Sequence, residues 1–345
     1  MSRVEFGVFD WIDLPKGGTP SDAYELRMAM LRRADAGAFT RYHLAEHHAT
    51  PLGLAPSPAV FLAAAARETS RIRLAATTFV IPLYQPLRLV QEWGMLDQLS
   101  GGRLEIGIGR GSSPIEAAMY GLTAEEAQER FHRISPAMLE ALETGVYRDP
   151  ERADAPPVEL FVRPVQSSIA HWYPTANAAS VLRVAEQGHH VLYGFGFASP
   201  ALEDIAPVSA EFARISAEHG HAAARFGMLR HVFIGETDAE AREIALAAFT
   251  DHYDAFSHLW RKTNSERFTE QPDLDELIAQ HRFMVGSVET VAEQVAHAVR
   301  VSGVSYFAAA FAWGTLSAPQ VLRSVDLFDT RVIPEVEAAL ASAAV

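Results

Sequence analysis

The chain predicts an α/β protein, a (β/α)8 TIM barrel, and three observations carry that expectation. Short runs rich in β-branched and aromatic residues alternate with longer amphipathic segments, there are eight such runs, and 345 residues suit a single barrel domain spanning 1–345. Crossover helices cover both faces of a parallel sheet, and closure removes its edges. The same alternation fits a doubly wound open sheet, so the pattern leaves both architectures open.

The strand candidates are 4–9, 41–45, 74–80, 104–108, 168–172, 190–193, 229–234 and 305–310. Helical patterns fill 21–36, 87–99, 124–144, 176–187 and 287–301. In the last of these Val288, Val291, Val295 and Val299 recur on one face, while Glu289, Glu293 and Arg300 can face water. Two stretches break the rhythm. Residues 147–165 hold Asp149-Pro-Glu-Arg-Ala-Asp-Ala-Pro-Pro157 and read as an exposed connection. A polar insertion around 251–285, with Trp260, Phe268 and Pro272, predicts a thin core of its own and is either a surface excursion or a lid over the barrel mouth.

Composition removes several function classes. Against 29 basic groups stand 43 acidic ones, a formal net charge of −14, and a nucleic-acid binder needs the opposite, a concentrated basic surface. The absence of cysteine rules out disulfides, thiolate nucleophiles and cysteine-ligated zinc. No apolar run approaches the roughly 18 to 20 residues of a membrane span, and the first residues lack the pattern of a secretory signal. The expectation is a cytoplasmic protein.

Glu46-His47-His48 falls where the second strand should end, at the catalytic rim of a barrel. Side chains alternate along an extended segment, so Arg41, His43, Ala45 and His47 share one face and Tyr42, Leu44, Glu46 and His48 the other. Neighbouring histidines on opposite faces do not readily share one metal, which leaves a metal-dependent hydrolase as a distant reading and no metal site in the expectation. Gly107-Ile-Gly-Arg-Gly111 is not a dinucleotide fingerprint, since the third glycine of G-x-G-x-x-G would fall on Ser112. Its glycines predict close passage of the chain to a ligand, with Arg110 offering a charged fork to a phosphate. A second phosphate contact is expected at the start of the helix after the fifth strand, where Thr175-Ala-Asn-Ala-Ala-Ser180 supplies Asn177 and Ser180. Phe195, Phe311 and Trp313 end late strands and are candidate walls of an apolar substrate pocket.

Leu44-Ala-Glu-His-His48, Ala75-Ala-Thr-Thr-Phe-Val-Ile-Pro82, Leu96-Asp-Gln-Leu-Ser-Gly-Gly-Arg103 and Gly107-Ile-Gly-Arg-Gly111 follow one another in the order found in luciferase-like monooxygenases. The chain resembles that flavin-dependent family. The resemblance implies that His47 lies beside the reactive face of the flavin, as general acid or base or as a hydrogen-bonding group. It also implies a cis peptide between Thr77 and Thr78 packed under the flavin. Reduced FMN, delivered by a separate reductase, would work with O2 on a small organic substrate in a homodimer whose contacts involve helices near 59–66 and 87–99. Two further readings come with the family: an oxidoreductase using the deazaflavin F420, and a flavin-binding relative without activity.

Overall fold

The computed structural model describes residues 4–194, 196–263, 266–268 and 270–342. Its strands are β1 (Glu5–Asp10), β2 (Arg41–Leu44), β3 (Arg73–Val80), β4 (Leu104–Gly109), β5 (Val146–Tyr147), β6 (Val158–Glu159), β7 (His171–Thr175), β8 (His190–Tyr193), β9 (Phe226–Ile234), β10 (Phe283–Gly286) and β11 (Tyr306–Ala310). Eight of them, in the order β11, β1, β2, β3, β4, β7, β8, β9, form a parallel sheet that closes through pairing of β9 with β11. The open-sheet alternative is thereby excluded.

Helices follow the strands as the apolar spacing requires. The helix Pro20–Ala36 begins with a capping box between Thr19 and Asp22 and a proline in its first turn, and Ala124–Thr144 begins with a second box between Thr123 and Glu126. The connection at 147–165 is largely exposed and contains the small antiparallel hairpin of β5 and β6. The fifth barrel strand lies at His171–Thr175, three residues beyond its expected start, because Ile106 pairs with His171 and sets the register there.

The expectation for 251–285 needs correction. Residue 251 is the middle of one continuous helix, Asp238–Lys262, followed by the short helix Leu274–Ala279 and by β10. Tyr253, Leu259, Leu274 and Leu277 are buried, so the segment has apolar anchors that its polar composition conceals. Asn264, Ser265 and Thr269 of this stretch lie outside the described residues. β10 was not expected at all. It pairs with the C-terminal half of β9, on the edge whose N-terminal half is taken by β8, since Ala310 already occupies the other side of His231.

Alternation along the strands divides the core in two. Phe9, Ala45, Ala75, Leu192, Leu229, Ala308 and Ala310 pack inside the barrel, while Val8, Leu44, Phe79, Phe307 and Ala309 pack against the helices. The lower interior is ionic. Arg41 bonds Glu5 and, at 3.0 Å, Glu105; Arg225 reaches Glu5 at 2.6 Å; Arg73 also holds Glu105, which accepts the indole N–H of Trp172. Burial alone would raise the Glu105 carboxyl, but Arg41 and Arg73, with the Trp172 indole N–H, hold it below the ordinary range. Directly above, His43 Nδ1 meets Thr77 Oγ1 and its Nε2 meets Tyr306 Oη, each at 2.8 Å.

Gly107 and Gly109 serve this core. A Cβ on Gly107 would run into the Ala76 carbonyl, and one on Gly109 would come within 2.8 Å of the Thr78 side chain. The glycines therefore admit the close approach of β3, a packing role that the sequence-based reading did not assign to them. Gly107→Ala should lower stability by about 1 to 3 kcal/mol, the range for overpacking a core, read from urea unfolding; a change under about 0.5 kcal/mol would contradict this packing.

Burial lowers His43 to about 3, and His171, His189 and His190, grouped at the lower end of β7 and β8, to about 4. These imidazoles are neutral in the folded protein, whereas the unfolded chain binds protons below about 6.5. Stability should fall as pH drops from 6.5 towards 4, by about 1.4 kcal/mol per pH unit for each proton taken up on unfolding. Glu5 and Glu105, both held below the ordinary carboxyl range, add to that loss only below about 4.5. Unfolding midpoints that stay level between pH 7 and 5 would refute the assignment.

Candidate active site at the barrel mouth

His47 follows β2 on the inward-facing parity and keeps 22% of its side-chain surface exposed. Its Nδ1 lies 3.0 Å from Glu116 Oε1. Glu116 sits in the short helix Pro114–Met119, whose N-cap Ser113 accepts the Glu116 N–H at 3.2 Å. Gly53 gives His47 its room, since a Cβ there would fall 2.6 Å from His47 Cβ. On the outward parity the buried Glu46 carboxylate accepts from Tyr84 Oη at 2.7 Å and Val80 N at 3.1 Å, and it meets His48 Nε2 at 2.9 Å. His48 Nδ1 lies 2.8 Å from Tyr120 Oη. Burial raises Glu46 despite these contacts. The two histidines thus differ in what they do, since His48 anchors the segment and His47 is presented to the mouth.

The Thr77–Thr78 peptide bond is cis. Thr77 is buried with its hydroxyl on His43, so only its backbone is available to a ligand, while Thr78 is half-buried. Arg110 leaves the end of β4 exposed, with Nη1 3.2 Å from Gln128 Oε1. It borders a small open cleft that also touches Val80, Ser112, Ser113 and Glu116. Asn177 caps the helix Ala178–Glu186, its side-chain oxygen accepting the Ser180 N–H at 3.1 Å. That oxygen is therefore engaged in capping, which narrows the role expected of Asn177. Since β4 pairs with β7, the loops carrying Arg110 and Ser180 follow neighbouring strands; Arg110 itself bonds Gln128.

The pocket aromatics divide. Phe195 lies outside the described residues. Phe311 is a correction: it continues the outward parity of Phe307 and Ala309 and packs on Phe39 and Phe328, at ring distances of 5.9 and 5.3 Å, away from the mouth. Trp313 is buried, its ring edge-on to His231 and Phe283 and its indole N–H directed to the Val232 carbonyl at 3.3 Å. Sequence reasoning missed Glu116, 69 positions from its partner, and Trp11 and His231, which stack at 5.1 Å on the far wall. A pairing at that separation leaves no local signal, although Trp11 follows a strand on the inward parity and was open to the alternation argument.

Ala45, Ala75, Ala308 and Ala310 line the interior, a floor low enough for a flat ring system. With the Arg110 guanidinium and the start of a helix on neighbouring loops, the residues fit a planar cofactor with an anionic tail. Among the described residues no helix is long and apolar enough to cross a membrane.

Comparison with known proteins identifies the family. Residues 4–306 match the model of the luciferase-like monooxygenase family. An uncharacterized protein of Sinorhizobium fredii, y4wF, is 30% identical over 91% of this chain and 92% of its own. The oxygenase component of a flavin-dependent trigonelline monooxygenase from Acinetobacter baylyi is 27% identical over 77% and 74%. Among solved structures, the monooxygenase RslO1 of Streptomyces bottropensis superposes with a TM-score of 0.83 at 21% identity, covering 96% of this chain and 99% of that one. The oxygenating constituent of the 3,6-diketocamphane monooxygenase from Pseudomonas putida, solved with FMN, gives 0.79 at 18%, covering 96% and 98%. The F420-dependent tetrahydromethanopterin reductase of Methanopyrus kandleri shares the fold at 0.67 and 18%, covering 97% and 100%. The chain belongs to the luciferase-like monooxygenase family and is, with that family, an oxidoreductase.

Proposed function

We propose that the chain is the oxygenase of a two-component system, using reduced FMN from a separate reductase to oxidise a small organic substrate with O2. The observation that carries the reading is His47, presented to the mouth on the inward parity of β2 and held at Nδ1 by Glu116. Supporting it are the relative that is an oxygenase component and the structural neighbour solved with FMN. Bound reduced FMN supplies the electrons with which O2 delivers one oxygen atom to the substrate.

The protein groups bind, orient and shield. Glu116 fixes the His47 ring through Nδ1 and leaves Nε2 free to hold or accept a proton at the mouth. Arg110 and the backbone N–H groups at Ala178 and Ala179 bind the anionic tail, with the Ser180 hydroxyl beside them. Buried aromatic walls exclude water from the reacting centre. A second copy covers the exposed apolar strip of Val60, Met95 and Leu99 on the helices Pro58–Glu68 and Pro86–Ser100, with Phe161 beside it.

Anaerobic titration should show the chain binding reduced FMN and not F420; retention of F420 alone would replace this reading with hydride transfer to or from the deazaflavin. Arg110→Ala should weaken FMN by about 10 to 100-fold, the loss of a charged hydrogen bond. His47→Ala should lower turnover by about 100-fold or more with FMN affinity within about threefold, as expected for a proton-transfer group; unchanged turnover of an identified substrate would remove His47 from the chemistry. Light scattering should give twice the 37.7 kDa chain mass, and a 37.7 kDa particle would refute the dimer.

A further inference from the structure

The wall facing the proposed tail-binding loops is built from stacked rings. Trp11 lies parallel to His231 at 5.1 Å, and His231 lies parallel to Phe283 at 4.4 Å, so the imidazole is sandwiched between indole and phenyl. Trp313 stands edge-on to both His231 and Phe283, at 5.7 and 5.5 Å, and His252 abuts Trp11 and His231 at 5.7 and 4.8 Å. His231, His252, Phe283 and Trp313 are each at most 2% exposed. Trp11 alone of these rings keeps solvent contact, at the top of the barrel interior.

A dense set of buried contacts holds Trp11 in place. Its neighbours Asp10 and Asp13 are buried and share one buried guanidinium: Arg27 Nε lies 3.2 Å from Asp10 and Nη2 lies 2.6 Å from Asp13. Asp10 also accepts from Ile12 N at 2.9 Å and Tyr42 Oη at 2.9 Å. Asp13 accepts from Gly314 N at 2.8 Å, and Arg27 donates to the Ala312 carbonyl at 3.2 Å, which ties the Trp11 loop to the segment bearing Trp313. Ile12, next to Trp11, has a φ of +52°, a conformation a β-branched residue keeps only where such contacts impose it.

Around the barrel, β9, β11 and β1 stand diametrically opposite β3, β4 and β7, and β2 with His47 lies between the two walls. From this arrangement we infer that Trp11 is a preformed stacking platform that selects substrates carrying a flat unsaturated ring over open aliphatic chains. A rigid indole stacked on His231, with Phe9 tilted against it at 4.7 Å, presents its remaining surface with little entropy to lose on binding, which favours offset stacking. The inference rests on the proposed FMN site for the position of the reacting centre, and it names the substrate class of that site.

The test uses the whole protein, loaded with oxidised FMN, and two ten-carbon alcohols as probes in calorimetric titration: planar 2-naphthol and open-chain 1-decanol. Wild type should bind 2-naphthol at least about tenfold more tightly than 1-decanol. Trp11→Leu should erase that preference while leaving the FMN dissociation constant within about twofold, and Trp11→Phe should retain most of it. Equal affinity for the two alcohols, no binding of 2-naphthol, or a preference that survives Trp11→Leu would overturn the inference. Loss of FMN affinity in Trp11→Leu with naphthol binding intact would assign the indole to the cofactor and overturn it too. Failure of wild type to bind FMN would instead count against the proposed function, and titration of the FMN-free protein with the same alcohols would still read the platform.

Discussion

The buried ionic plug at the lower end of the barrel is the constraint on which the upper half depends. Eight strands enclose an interior that side chains must fill, and here the filling is Arg41 between Glu5 and Glu105, with Arg73 and Arg225 completing the charges. Removing any one partner would strand a charge in a low-dielectric interior, so the set is interdependent. The Arg41 guanidinium also lies 5.7 and 5.6 Å from the centres of the Trp172 and Tyr306 rings, which joins the plug to the aromatic layer above it. That layer ends at His43, whose two nitrogens tie Thr77 on β3 to Tyr306 on β11 across the barrel.

Above His43 the interior changes character. Ala45 and Ala310 take the place of the arginines and tyrosines below and join one cluster with Phe9, Leu229 and Trp11. Charge below the site serves cohesion, while at the rim the carboxylates are already engaged: Glu46 and Glu116 have partners, and Asp10 and Asp13 share Arg27. Burial alone would depress Arg27, but Asp10 and Asp13 raise it, so the cluster keeps its cation at every working pH. The two walls of the mouth are consequently unlike. One carries an exposed arginine and a helix start; the other is aromatic, stacked and nearly dry.

Much of this was legible in the chain. The alternation of short apolar runs and amphipathic segments located seven barrel strands within about three residues, and His190–Tyr193 as it stands. Parity within Arg41–His48 separated an inward from an outward set, because a two-residue repeat is a property of any extended segment. The role of Asn177 at a helix start was local and partly readable; its capping bond to the Ser180 N–H is what tertiary placement leaves in force. Phe311 escapes the strand pattern because the strand ends at Ala310 while its parity continues, which turns the ring outward.

The sequence by itself determined what depends on near neighbours: strand and helix periods, capping boxes, the charge balance and the motifs around Glu46 and Arg110. Tertiary structure alone decided that Gly107 makes way for β3, that Glu116 holds His47, that β10 extends the edge of β9, and that Trp11 stacks on His231. Each of these joins groups separated by dozens to hundreds of positions, and no local propensity encodes a meeting that exists only once the barrel has closed.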